Sequence, residues 1–76
     1  MGYDFNSDRQ ERYKSISLRI RDFAASSSTS LEIQLYKDEI PKLEKDINEI
    51  IITRGKPSKL GEGKYWCKVF KKRVVN

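Results

Sequence analysis

Residues 31–36 alternate without a break: Leu31, Ile33 and Leu35 take one parity, and Glu32, Gln34 and Tyr36 take the other. Successive side chains point to opposite faces of a strand, so this segment predicts a strand with one apolar face. Residues 64–71 alternate again, with Tyr65, Cys67 and Val69 as an unbroken apolar row and Trp66, Lys68 and Phe70 as an aromatic row interrupted by a charge. The unbroken row is the candidate for the core. Nearer the start, Tyr13, Ile16, Ile20, Phe23 and Ala24 recur at helical spacing while Lys14, Leu18 and Arg21 point away, which predicts an amphipathic helix over residues 8–25. Ser7 and Gln10 have the form of a capping box and set the helix start near Asp8. A strand competes for residues 15–21, which also alternate polar and apolar, but the helix alone accounts for Tyr13 and Phe23.

The Ser-rich segment 24–30 predicts a helix end and a turn, because short hydroxyl side chains compete for backbone hydrogen bonds. In residues 37–48, Ile40, Leu43 and Ile47 mark one face of a short helix. Asp38 and Glu39 fall at its favourable N-terminus, and Pro41 is tolerated in its first turn. Residues 50–53 are β-branched throughout and predict a strand covered at least partly on both faces. The Gly-, Pro- and Lys-rich stretch 54–63 predicts a long hairpin loop.

The expected fold class is α+β, in the order α-β-α-β-β with no internal repeat: two helices packed on one face of a small three-stranded mixed sheet. The strand-helix-strand unit at 31–53 crosses over right-handedly with its strands parallel, and the hairpin adds an antiparallel third. The second sheet face is then left open. Residues 1–6 are expected to form a flexible N-terminus, 7–71 a single small domain, and 72–76 a basic flexible tail. This order of elements, ending in a Tyr/Trp-rich strand, resembles small proteins of phages and mobile elements; no residue motif carries a function across.

Composition narrows the classes. A chain of 76 residues, 37% apolar and 36% charged, supports a thin core without room for an enclosed cofactor. Cys67 is the sole cysteine, which excludes an intrachain disulfide and points to a reducing, cytoplasmic setting. Within its apolar row it reads as a core residue rather than a reactive thiol. The N-terminus lacks a signal-peptide pattern, Asn6 stands where an N-myristoylation motif needs Ser or Thr, and no run is long enough to span a bilayer. No membrane partner is expected.

With no His and one Cys, the usual zinc ligand sets and the Ser-His and Cys-His nucleophile pairs are missing. Gly55 to Gly61 lacks the Gly-Lys-Ser/Thr ending of a phosphate loop, and Gly61-Glu62-Gly63 lacks the third glycine of a dinucleotide fingerprint. Glu39, Glu44, Asp46 and Glu49 alternate with Lys42 and Lys45 and read as a solvated, salt-bridged helix face rather than an acid–base pair. No enzymatic activity, cofactor, metal or small-molecule substrate is expected.

The net charge of +5 is unevenly spread. Residues 1–53 hold eight Lys/Arg and ten Asp/Glu, whereas residues 54–76 hold eight Lys/Arg against Glu62 alone. Together with the aromatic row, this surplus points to a nucleic-acid partner. Trp66 and Phe70 would stack on bases, and Arg54, Lys56, Lys59, Lys64 and Lys68 would meet phosphates. Arg9, Arg12, Lys14, Arg19 and Arg21 read as a solvated helix face partly neutralised by Asp8, Glu11 and Asp22. The alternative is a protein-interaction module, a small inhibitor or adaptor, that offers the open face and a strand edge to an acidic protein or to its own copy. In that reading the lysines protect an edge and set orientation.

Overall fold

The computed structural model describes residues 5–59 and 63–72. Two helices, α1 (Phe5–Ala24) and α2 (Glu39–Asp46), accompany three strands, β1 (Ser30–Tyr36), β2 (Ile50–Pro57) and β3 (Lys64–Lys71). The chain order is the expected one. Helix α1 starts at Phe5, earlier than the expected start near Asp8, so Ser7 falls within its span. Residues 15–21 are helical, which decides against the strand reading. The expectations for residues 1–4, 60–62 and 73–76 lie outside the described residues.

The sheet corrects the expected topology. It is antiparallel throughout, in the order β1-β3-β2, rather than mixed. Strands β1 and β2 do run in the same direction, but β3 lies between them and pairs with both. A parallel pair was expected because a strand-helix-strand crossover usually joins neighbours. Inserting β3 instead gives its backbone a partner on each side and buries Cys67 and Val69 completely or nearly so, at 1% and 0% exposure. Strand β2 also runs four residues past Thr53, into the stretch expected to be loop. A bulge between Arg54 and Pro57 makes this extension feasible, and Pro57 is tolerated because β2 is an edge strand.

Both helices pack on one face. Ile16, Ile20 and Phe23 of α1 and Leu43 of α2, with Ile47 just beyond it, meet Ile33, Leu35, Ile50, Ile52, Cys67 and Val69 in one buried cluster. Tyr13, Ala24, Leu31, Ile40 and Tyr65 pack against its margin. Each fully buried aliphatic side chain contributes about 1.5–3 kcal/mol by leaving water. Ile51 corrects the idea that β2 is covered on both faces, since it points away from the helices and is 41% exposed.

A charged seam joins α1, α2 and β1. Arg12 Nη1 lies 2.7 and 2.6 Å from the two Glu39 carboxylate oxygens, and Arg12 Nη2 donates to the Gln34 carbonyl at 2.7 Å. Glu39 also accepts from the Tyr36 amide at 2.9 Å. Glu39 is therefore 3% exposed, not part of a solvated helix face. Arg9 joins the seam, with Nη2 at 3.2 Å from Asp38 and its guanidinium 3.9 Å from the Tyr36 ring centroid. On the other sheet edge, Glu44 accepts the Ile52 amide at 2.8 Å. Helix side chains thus occupy backbone groups at both edges, where an unpaired strand would otherwise invite another chain.

The Ser-rich connection closes α1 with its own hydroxyls. Ser26 Oγ donates to the Phe23 carbonyl at 2.8 Å and accepts the Ser28 amide at 3.2 Å. Lys71 Nζ donates to the Ser26 carbonyl, tying the end of β3 to the end of α1.

Candidate nucleic-acid interface

The face opposite the helices is a grid set by strand register. Ser30, Phe70 and Ile51 form one row across β1, β3 and β2, and Glu32, Lys68 and Thr53 form the next. Gln34 and Trp66 follow, with Tyr36 and Lys64 beyond them. Trp66 and Phe70 are 42% and 37% exposed. Because β3 is central, its aromatics stand in the middle of the open face rather than at a rim. Four residues of strand separate them by about 13 Å, with Lys68 at the position between.

Local structure fixes Trp66. The bulge sets Gly55 against β3 so closely that a Cβ there would lie 2.6 Å from the Trp66 carbonyl oxygen. On the other side, Ser58 Oγ lies 2.8 Å from Gln34 Oε1, and the Ser58 amide donates to the Lys64 carbonyl at 2.9 Å. Thr53 Oγ1 donates to the Lys68 carbonyl at 3.2 Å. Thr53, Gly55, Lys56, Trp66 and Lys68 line a shallow groove over the β2–β3 half of this face.

The expected site residues divide. Trp66, Lys68 and Phe70 share the open face, Lys56 joins them along the groove, and Lys64 adjoins Tyr36, its ammonium 5.6 Å from the ring centroid. Arg54 does not join them: its guanidinium lies 4.8 Å from the Tyr65 centroid, and Tyr65 packs against the core on the helix side. Lys59 is exposed on the connection after β2 and neither lines the groove nor belongs to a strand of the face. Ile51 and Thr53 belong to the surface although they were not expected there, and Glu32 joins it on the polar row of β1 where the alternation put it. The alternation that flagged Trp66 extends to Glu32, but only the register with β3 places Ile51 and Thr53 beside it.

Two other groups behave as structural parts. Burial pushes the Cys67 thiol above its ordinary pKa, with weaker opposing contributions from the Gly55 and Leu35 backbone, so it stays protonated as a packed core group. Burial, reinforced by a hydrogen bond to Asp46, likewise holds the Tyr13 hydroxyl protonated well above its ordinary range. Among the described residues there is no group of three or more His, Cys, Asp or Glu placed to hold a metal ion, and no helix is long and apolar enough to cross a membrane.

Comparison of the chain with protein-family models, with curated proteins and with solved structures gave no match, so the resemblance to small phage and mobile-element proteins has no support there. Any functional reading rests on the surface itself.

Proposed function

We propose that this chain is a small nucleic-acid-binding accessory module, not an enzyme, and that it binds through the open sheet face. One observation carries the proposal: Trp66 and Phe70 stand exposed on the central strand with Lys68 between them. Aromatic rings on a sheet offer stacking surfaces to bases of any sequence, and lysine at the intervening position suits the connecting phosphate. Lys56 and Lys64 extend the positive rim. Arg54 and Lys59 stand outside this surface and contribute at most to long-range attraction.

The test is fluorescence anisotropy of labelled DNA and RNA with wild type, Trp66→Ala and Phe70→Ala. Stacking is worth about 1–3 kcal/mol per base, so each variant should bind roughly 5- to 150-fold more weakly while keeping a cooperative thermal transition. Unchanged affinity in both variants, or no binding by wild type even at low salt, removes the proposal.

The exposed Ile51 beside Phe70 favours one other reading, in which an acidic protein or a second copy covers the face. The seam at Gln34 and Tyr36 and the Glu44 contact to Ile52 argue against strand addition at those edge positions, so such a partner would meet the face. Sedimentation of the isolated protein as a stable dimer, abolished by Ile51→Lys, would favour that reading.

A further inference from the structure

Two grooves meet at Trp66. One holds Thr53, Gly55, Lys56 and Lys68 and crosses the β2–β3 half of the open face. The other holds Arg12, Ser15, Arg19 and Lys64 and runs over the β1 edge to α1. Trp66 and Glu32 line both, so the two form one track that bends around the edge of the sheet.

We infer that the partner is single-stranded nucleic acid that follows this bent track, with a base on Trp66 and a phosphate at Arg19 where the strand leaves over the β1 edge. The inference rests on the nucleic-acid reading above and adds strandedness and an exit path. Three strands spaced by about 4.8 Å make the crossing roughly 10 Å wide, and descending to the helix layer adds about 10 Å more. A duplex stays straight over about 150 base pairs and cannot turn within that distance. It also keeps its base planes stacked inside, away from the Trp66 ring. A single strand both bends and offers its base faces.

The charges along the track fit a strand more closely than their number does. Arg12 is committed to Glu39 and Gln34, whereas Arg19 is exposed and makes no ion pair among the described residues. Lys64 lines the same groove as Arg19 and Trp66. Glu32 sits at the bend, where a carboxylate repels phosphate and accepts hydrogen bonds from amino groups on bases. The bend therefore receives a base, and the phosphates fall to Lys56 and Lys68 on one side and Lys64 and Arg19 on the other.

The experiment measures binding of labelled oligo-dT, oligo-rC and a mixed-sequence duplex of about twelve units, a length above the smallest single-strand sites, across a salt series. Single strands should bind at least about ten-fold tighter than duplex at equal salt, and Arg19→Ala should weaken their binding and flatten the log–log salt slope by about 0.7. Arg21→Ala removes the same charge from α1 outside both grooves and should leave that slope unchanged. Duplex binding as tight as single-strand binding overturns the strandedness, and equal effects of Arg19→Ala and Arg21→Ala overturn the exit path; in either case the nucleic-acid reading stands. If neither form binds, that reading falls together with this one.

Discussion

Replacing Arg12 by Met tests whether the seam between the helices and β1 holds the fold. The substitution keeps most of the aliphatic stem but removes the guanidinium contacts to Glu39 and Gln34. Glu39, whose side chain is 4% exposed, would keep the Tyr36 amide and the more distant Arg9, 3.4 Å away. Removing one partner of a buried pair costs about 3–5 kcal/mol. The 24% exposure of Arg12 and the nearness of Arg9 place this case lower, at about 2–3 kcal/mol. A domain of this size has a total stability of roughly 4–11 kcal/mol, so the melting temperature should fall by roughly 10–20 °C. Urea and thermal denaturation followed by circular dichroism measure both quantities. Glu39→Gln in the Arg12→Met background removes the buried charge left with only the distant Arg9 while keeping an acceptor for Tyr36, and should recover part of the loss. A cost below about 0.5 kcal/mol for Arg12→Met, the range of exposed ion pairs, would refute the claim that this seam is structurally important. A double variant less stable than Arg12→Met would refute the charge-burial argument.

Two further perturbations follow from single contacts. Tyr13 has a raised pKa when folded, so its contribution is fully present below the unfolded value near 10 and is lost as the pH rises past it. Urea midpoints of wild type should therefore decline more steeply than those of Tyr13→Phe between about pH 9 and 11, and parallel curves would contradict the Tyr13–Asp46 contact. Gly55→Ala puts a Cβ against the Trp66 carbonyl and should cost about 1–3 kcal/mol by forcing the β2–β3 bulge to shift, whereas an unchanged melting temperature would show that the strands do not approach so closely.

The periodic segments of this chain declare themselves through their own side chains. The α1 stripe and the β1 and β3 alternations identify nearly all the buried residues they contribute, because burial on one face imposes period 3.6 or 2 on the sequence. Strand order is different in kind. Nothing local in residues 64–71 says that β3 lies between two strands that follow one another in the chain, and the common preference for adjacent neighbours pointed the other way. The Arg12–Glu39 seam joins residues 27 apart, and both look like ordinary members of charged helix faces until the fold brings them together. The composition of Arg54 to Pro57 suggests loop; one bulge at a glycine keeps it in the sheet. The same gap separates the legible part of the candidate surface, Trp66, Lys68 and Phe70, from Ile51, Thr53 and Arg19, whose places depend on register and on helix position.

A nucleic acid bound on the face carrying Trp66 would lie against the chain's only tryptophan. Its fluorescence should be quenched on adding unlabelled oligonucleotide at about 50 mM salt and should recover as salt rises to about 200 mM, since phosphate contacts weaken steeply over that range. Emission that stays unchanged at saturating nucleic acid, with Trp66 still open to a neutral quencher, would contradict the account.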